Sequence, residues 1–123
     1  LEGFTNYGIG DFPVANMDSI AEVLGFSVGT VSTGDSLDAQ PADLKFMNSV
    51  KAVAKDMEAA SVAWVSAKNN IPFTALKVIT DLVDGEIATE EEFVTNLRYA
   101  SNRLSEGILS LVHEMQDFRT EKR

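Results

Sequence analysis

No cysteine occurs in the 123 residues. A disulfide framework and a thiolate metal site are thereby excluded, and the composition suits a reducing, cytoplasmic compartment. Basic residues are also scarce: ten Lys and Arg stand against nineteen Asp and Glu, for a formal net charge of −9. Such a balance disfavours nucleic acid or an anionic membrane as partner, since either would call for a basic face. Apolar runs stop well short of the roughly 18 residues that a membrane span needs. A single histidine, His113, is followed by Glu114 with no second histidine at helical spacing, which rules out a paired-histidine zinc motif and leaves a solvent-facing side chain.

What remains is 45% apolar and 24% charged, the balance of one globular domain or a large piece of one. The opening "GFTNYGIGDFP" is rich in Gly, Asn and aromatics and reads as a loop. Val14, Met17, Ile20, Ala21 and Leu24 then recur at helical spacing, with Gly25 as a C-terminal stop. "FSVGTVST" reads as a short strand, and Pro41 as the first residue of a short helix carrying Leu44 and Met47. "SVKAVAK" is a second strand, followed by a helix over residues 58–69 whose Ala59, Val62, Ala63, Ser66 stripe is small enough to lie close on a sheet. "FTALKVIT" is nearly continuous in apolar character, which predicts a third strand buried on both faces. "TEEE" at residues 89–92 has the pattern of a capping box, and it opens a helix of about 30 residues with Phe93, Leu97, Ala100, Leu104, Ile108, Leu111, Met115 and Phe118 on one face.

Strands alternating with helices predict an α/β fold, three-layered with a mixed, largely parallel sheet. Three strands are few for a parallel sheet, which needs cover on both faces. Residues 1–123 are therefore expected to form the C-terminal half of one larger domain.

In α/β folds function collects beyond the carboxyl ends of the strands. Three such ends carry polar groups: "STGDSLD", "KDMEAA" and "KVITDLVDG". Each admits a plain structural role. Glu58 could do no more than complement a helix dipole, Asp81 could cap a turn, Asp84-Gly85 is an ordinary turn pair, and "STGDS" lacks the lysine of a phosphate loop. Lys77 is different, because a lysine in a buried strand needs a partner.

In order and spacing, "STGDSLD…KDMEAASVAWV…NNIPFTALKVITDLVDG…TEEEF" resembles the C-terminal half of the 5′-methylthioadenosine/S-adenosylhomocysteine nucleosidases. These belong to the purine nucleoside phosphorylase-like superfamily, and the plant-type enzymes look closest. The resemblance implies hydrolysis of an N-glycosidic bond with release of adenine, in methionine salvage, by a homodimer that uses no cofactor and no metal. It implies that Met57 and Glu58 meet the ribose, the carboxylate accepting from two vicinal hydroxyls. It places Asp81 as the catalytic residue that assists departure of a 6-amino purine, with Thr80 orienting it. Ser36 and Leu37 fall where backbone groups pin the adenine, and Lys77 where relatives carry a basic residue near the attacking water. In a regular strand Lys77 and Asp81 would share a face yet stand roughly 13 Å apart, too far for a direct pair. Phe12 and Pro13, in "YGIGDFP", match a segment that reaches a neighbouring subunit's pocket. The family's general acid/base glutamate belongs to the preceding half of the domain. A purine nucleoside phosphorylase and an inactive storage or binding protein on the same fold are the alternatives.

Overall fold

The computed structural model describes residues 10–82 and 89–121, with side chains undescribed at 89–90 and 118–121. The Asp84-Gly85 turn, the first part of the "YGIGDFP" loop, and the Thr89 and Phe118 side chains therefore lie outside the described residues. Six elements follow in chain order: α1 (Asp18–Leu24), β1 (Thr30–Thr33), α2 (Pro41–Ser49), β2 (Ala52–Asp56), α3 (Ala59–Lys68) and α4 (Thr89–Glu121).

α1 begins later than its apolar periodicity suggests. The Asn16 side-chain oxygen accepts the Asp18 N–H at 2.9 Å, while the Ala15 N–H donates to the Phe73 carbonyl at 2.7 Å. Ala15 is thus tied to residue 73 rather than to a helical turn, the first helical bond reaches back only to the Met17 carbonyl, and Val14 is exposed. Gly25 closes α1 as expected, in the left-handed region at φ 66, with its N–H returned to the Ala21 and Glu22 carbonyls. Ile20 and Ala21 enter the core.

β1 and β2 form a parallel pair in the register Thr30↔Ala52, Val31↔Ala54, Ser32↔Lys55, Thr33↔Asp56, with an irregularity after Thr30. The register sets Thr33 directly beside Asp56, and the site depends on that adjacency. The chain approaches β2 closely ahead of this irregularity, where a Cβ on Gly29 would collide with the Val53 side chain. The crossover is α2. Pro41 occupies its first turn, and Gln40 and Asp43 form a reciprocal capping box.

α3 lies over β1, burying Ala63 and leaving Val62 51% exposed. Ala59, Ala63 and Ser66 of the predicted stripe face inward, with Ala60 rather than Val62 as the fourth small residue on that face. It ends where the Asn69 side-chain amide donates to the Val65 carbonyl at 2.8 Å and Asn70 turns to φ 54.

The third strand is a correction. Among the described residues, 71–82 enter no ladder, and the only sheet has two strands. Nor is the segment buried on both faces: Ile71 and Ile79 are exposed, whereas Leu76, Val78 and Thr80 are half-buried. A strand exists only by pairing, and among the described residues this segment pairs with neither outer edge of the two-stranded sheet. Its apolar residues instead meet α4. A Cβ on Gly107 would stand 3.2 Å from Leu76 Cδ2 and 3.6 Å from Phe26 Cζ, so this helical glycine admits both side chains to the helix surface.

α4 spans 33 residues, roughly 50 Å. Its inward face carries Phe93, Asn96, Ala100, Leu104, Gly107 and Leu111, with Ala100 buried. Leu97, Ile108 and Met115, expected on that face, are more than a third exposed. Among the described residues no helix is long and apolar enough to cross a membrane.

Candidate active site

The register that pairs Thr33 with Asp56 brings a hydroxyl and a carboxylate together at the carboxyl ends of both strands. Thr33 Oγ1–H donates to Asp56 Oδ1 at 2.6 Å, and the same hydroxyl oxygen accepts the Ala60 N–H at 3.0 Å. Asp56 Oδ2 accepts the Ala59 N–H at 3.0 Å. Two of the N–H groups that α3 would otherwise leave unpaired are thereby satisfied from β1 and β2. Lys77 completes the cluster, with its Nζ 2.6 Å from Asp56 Oδ2. The partner that a lysine in this segment requires is Asp56, whose side chain is only 8% exposed.

This arrangement bears directly on Glu58. It occupies the N-cap position of α3, yet its side chain makes no cap hydrogen bond. Its carboxylate is 71% exposed, with Oε2 at 3.3 Å from the Met57 N–H and 3.9 Å from Lys77 Nζ. Asp56 and Thr33 cap the helix, so Glu58 is not needed there.

Burial pushes the Asp56 carboxyl up. The hydrogen bonds from Lys77 and Thr33, the ammonium's charge and the Ala59 N–H outweigh burial and hold it below the usual carboxylate value. A carboxyl depressed in the folded state contributes stability that is fully present above its unfolded value of about 4. That contribution is lost as the pH falls through the lowered folded value. Urea unfolding across the acid range is expected to show this loss in the parent and not in Asp56→Asn. Identical acid dependence in the two proteins would show that Asp56 does not carry it.

The other predicted residues lie around this cluster. Ser36 and Leu37 sit just past β1, where the Lys55 ammonium donates to both of their carbonyls, the second at 3.4 Å. The Ser36 hydroxyl donates to the Asp38 carbonyl at 2.8 Å, which tightens the turn. The Thr80 hydroxyl donates to Asp81 Oδ1, and the Thr80 carbonyl accepts from Asn96 Nδ2 at 2.7 Å. Two residues on, the Leu82 N–H donates to Glu92 Oε2 at 2.9 Å. Glu92 of "TEEE" thus reaches back to Leu82, and with Asn96 it fastens both sides of Asp81 to α4. Met57 and Leu37 are exposed, Phe12 is half-buried and Pro13 exposed.

The structure therefore unites Met57, Glu58 and Lys77 in one cluster and holds Thr80–Asp81 separately on α4. Asp56, Thr33, Lys55, Asn96 and Glu92 were not marked by sequence as site residues. The unmatched Lys77 was the available signal for Asp56, the acid two residues before Glu58.

A parallel α/β unit with acids, hydroxyls and a lysine collected beyond its strand ends has the make-up of a small-molecule site. The chain belongs to the phosphorylase superfamily, which it matches over residues 15–113. It is 38% identical to a 5′-methylthioadenosine/S-adenosylhomocysteine nucleosidase of Arabidopsis thaliana over 109 residues, 86% of this chain and 42% of the relative. It is 42% identical to a 5′-methylthioadenosine nucleosidase of the same plant over 94 residues, 76% of this chain and 35% of the relative. The solved apo structure of an Arabidopsis thaliana 5′-methylthioadenosine nucleosidase superposes with a TM-score of 0.85 at 35% identity, covering 92% of this chain and 46% of that one. The chain thus spans less than half the length of these relatives, and it shares their α/β fold.

Proposed function

We propose that residues 1–123 are the C-terminal half of a single-domain nucleosidase that hydrolyses the N-glycosidic bond of 5′-methylthioadenosine, with S-adenosylhomocysteine as a further substrate, and releases adenine. The carrying observation is the release of Glu58 from helix capping: with Asp56 and Thr33 occupying the α3 N–H groups, an exposed carboxylate stands at a strand end beside Lys77. The similarity to nucleosidases of the same fold supports the same reading.

In this reading Glu58 accepts hydrogen bonds from the ribose 2′ and 3′ hydroxyls, which suits an ionised carboxylate with two oxygens. Met57 lies against the sugar. Asp81, oriented by the Thr80 hydroxyl and anchored through Asn96, assists the departing adenine as positive charge develops on the sugar. Ser36 and Leu37 present backbone to the base, from a turn that Lys55 fastens to β2. The other half of the domain supplies the general acid/base and the water site, and Phe12 and Pro13 reach a second subunit of a homodimer. The enzyme would act in methionine salvage in the cytoplasm.

The test is adenine release from methylthioadenosine by the full-length protein, with and without phosphate. Release at equal rates in both buffers is expected, and a requirement for phosphate would make the protein a phosphorylase instead. Glu58→Gln is further expected to narrow the preference for ribonucleosides over their 2′-deoxy forms by about tenfold, the cost of one charged acceptor. Unchanged kinetics on both substrates would remove Glu58 from the sugar site.

A further inference from the structure

Two carboxylates and one ammonium meet where β2 runs into α3, and they share it unequally. Lys77 Nζ lies 2.6 Å from Asp56 Oδ2 and 3.9 Å from Glu58 Oε2. We infer that Asp56 is a positioning residue that holds the Lys77 ammonium off Glu58, leaving the exposed Glu58 carboxylate available to the ribose diol. The inference rests on the sugar-binding role proposed for Glu58 and adds to it the reason that role is available.

The asymmetry has a physical origin. Asp56 is fixed independently of Lys77: the Thr33 hydroxyl holds Oδ1, the Ala59 N–H holds Oδ2, and the side chain is almost fully buried. Pairing with it costs little conformational freedom. Glu58 has a longer side chain, is well solvated, and would have to be ordered to pair. The charged groups facing Asp56 are Lys77 from residues 71–82 and, beyond that lysine, Glu58 at the start of α3; β1 contributes the neutral Thr33. Without the Asp56 charge, the nearest acceptor for Lys77 is Glu58 Oε2. An ammonium seated there would occupy one of the two oxygens that a vicinal diol needs.

The experiment uses the full-length protein and its Asp56→Asn, Lys77→Met and Asp56→Asn/Lys77→Met variants. The probes are a C-nucleoside analogue of adenosine, whose glycosidic bond resists hydrolysis, and its 2′-deoxy form. In a crystal structure of Asp56→Asn, Lys77 Nζ is expected within about 3.2 Å of a Glu58 oxygen. Binding of the ribo analogue is expected to weaken about tenfold, with the 2′-deoxy analogue little changed. Adding Lys77→Met should restore the ribo preference, because the competitor is gone. A merely structural Asp56 would weaken both analogues alike, and removing Lys77 would reverse nothing. Should Asp56→Asn fail to fold, Thr33→Val loosens the same carboxylate and is expected to move both readouts in the same direction.

Lys77 remaining beside residue 56, an unaltered ribo preference, or no rescue in the double variant would each overturn the role of Asp56. A parent protein that binds neither analogue would instead overturn the nucleosidase reading itself.

Discussion

In the full-length protein, Asp81→Asn is expected to lower kcat by about 10²–10⁴ while leaving folding nearly intact, the range typical of losing a positioned acid. The expectation follows from where Asp81 is held. Its Oδ1 accepts from Thr80, and the backbone on either side is fastened to α4 by Asn96 and Glu92. One contact to the carboxylate and two to the flanking backbone fix where it points, and asparagine keeps the shape while losing the charge. Single-turnover adenine release separates chemistry from product loss. Near-normal turnover by the variant would return Asp81 to a structural turn.

Asp56→Ala should act on stability instead, lowering it by about 3 kcal/mol, as expected for breaking a largely buried ion pair. The substitution removes acceptors from the Thr33 hydroxyl, the Ala59 N–H and Lys77 together. Glu58→Ala is expected to stay within about 0.5 kcal/mol of the parent, because that side chain is mostly exposed and caps nothing. Urea unfolding of the two variants makes the comparison. Equal losses would mean that the capping attributed to Asp56 is shared with Glu58.

The contrast between those two acids shows what was legible in the sequence. The alternation of helices and strands as far as α3, the Gly25 stop, Pro41 at a helix start and the long terminal helix follow from local chemistry, and the structure bears each of them out. The motifs around Met57, Glu58 and Asp81 were visible as strand-end acids. Asp56 stood in the same quoted stretch, but its role depends on register, since only the pairing of β1 with β2 sets Thr33 beside it. Register is a long-range property that periodicity does not encode. The "FTALKVIT" strand was misread for a related reason. Apolar continuity reports an affinity for burial, whereas a strand exists only when it is laid in register along a neighbouring edge.

That unpaired segment gives the chain a weak place in time as well as in space. Among the described residues, the amides of 74–80 donate to no backbone carbonyl, whereas β2 sits in a ladder and Thr80 is tied to α4 only through its carbonyl. In the 123-residue chain, deuterium should therefore enter 74–80 well before it enters β2, at rates set by local opening rather than by global unfolding. Lys77 lies inside this fast-exchanging stretch and Asp81 just beyond it. Whatever slows deuterium uptake there, whether further chain or a bound nucleoside, also holds still the ammonium that pairs with Asp56 and the approach to the proposed catalytic Asp81.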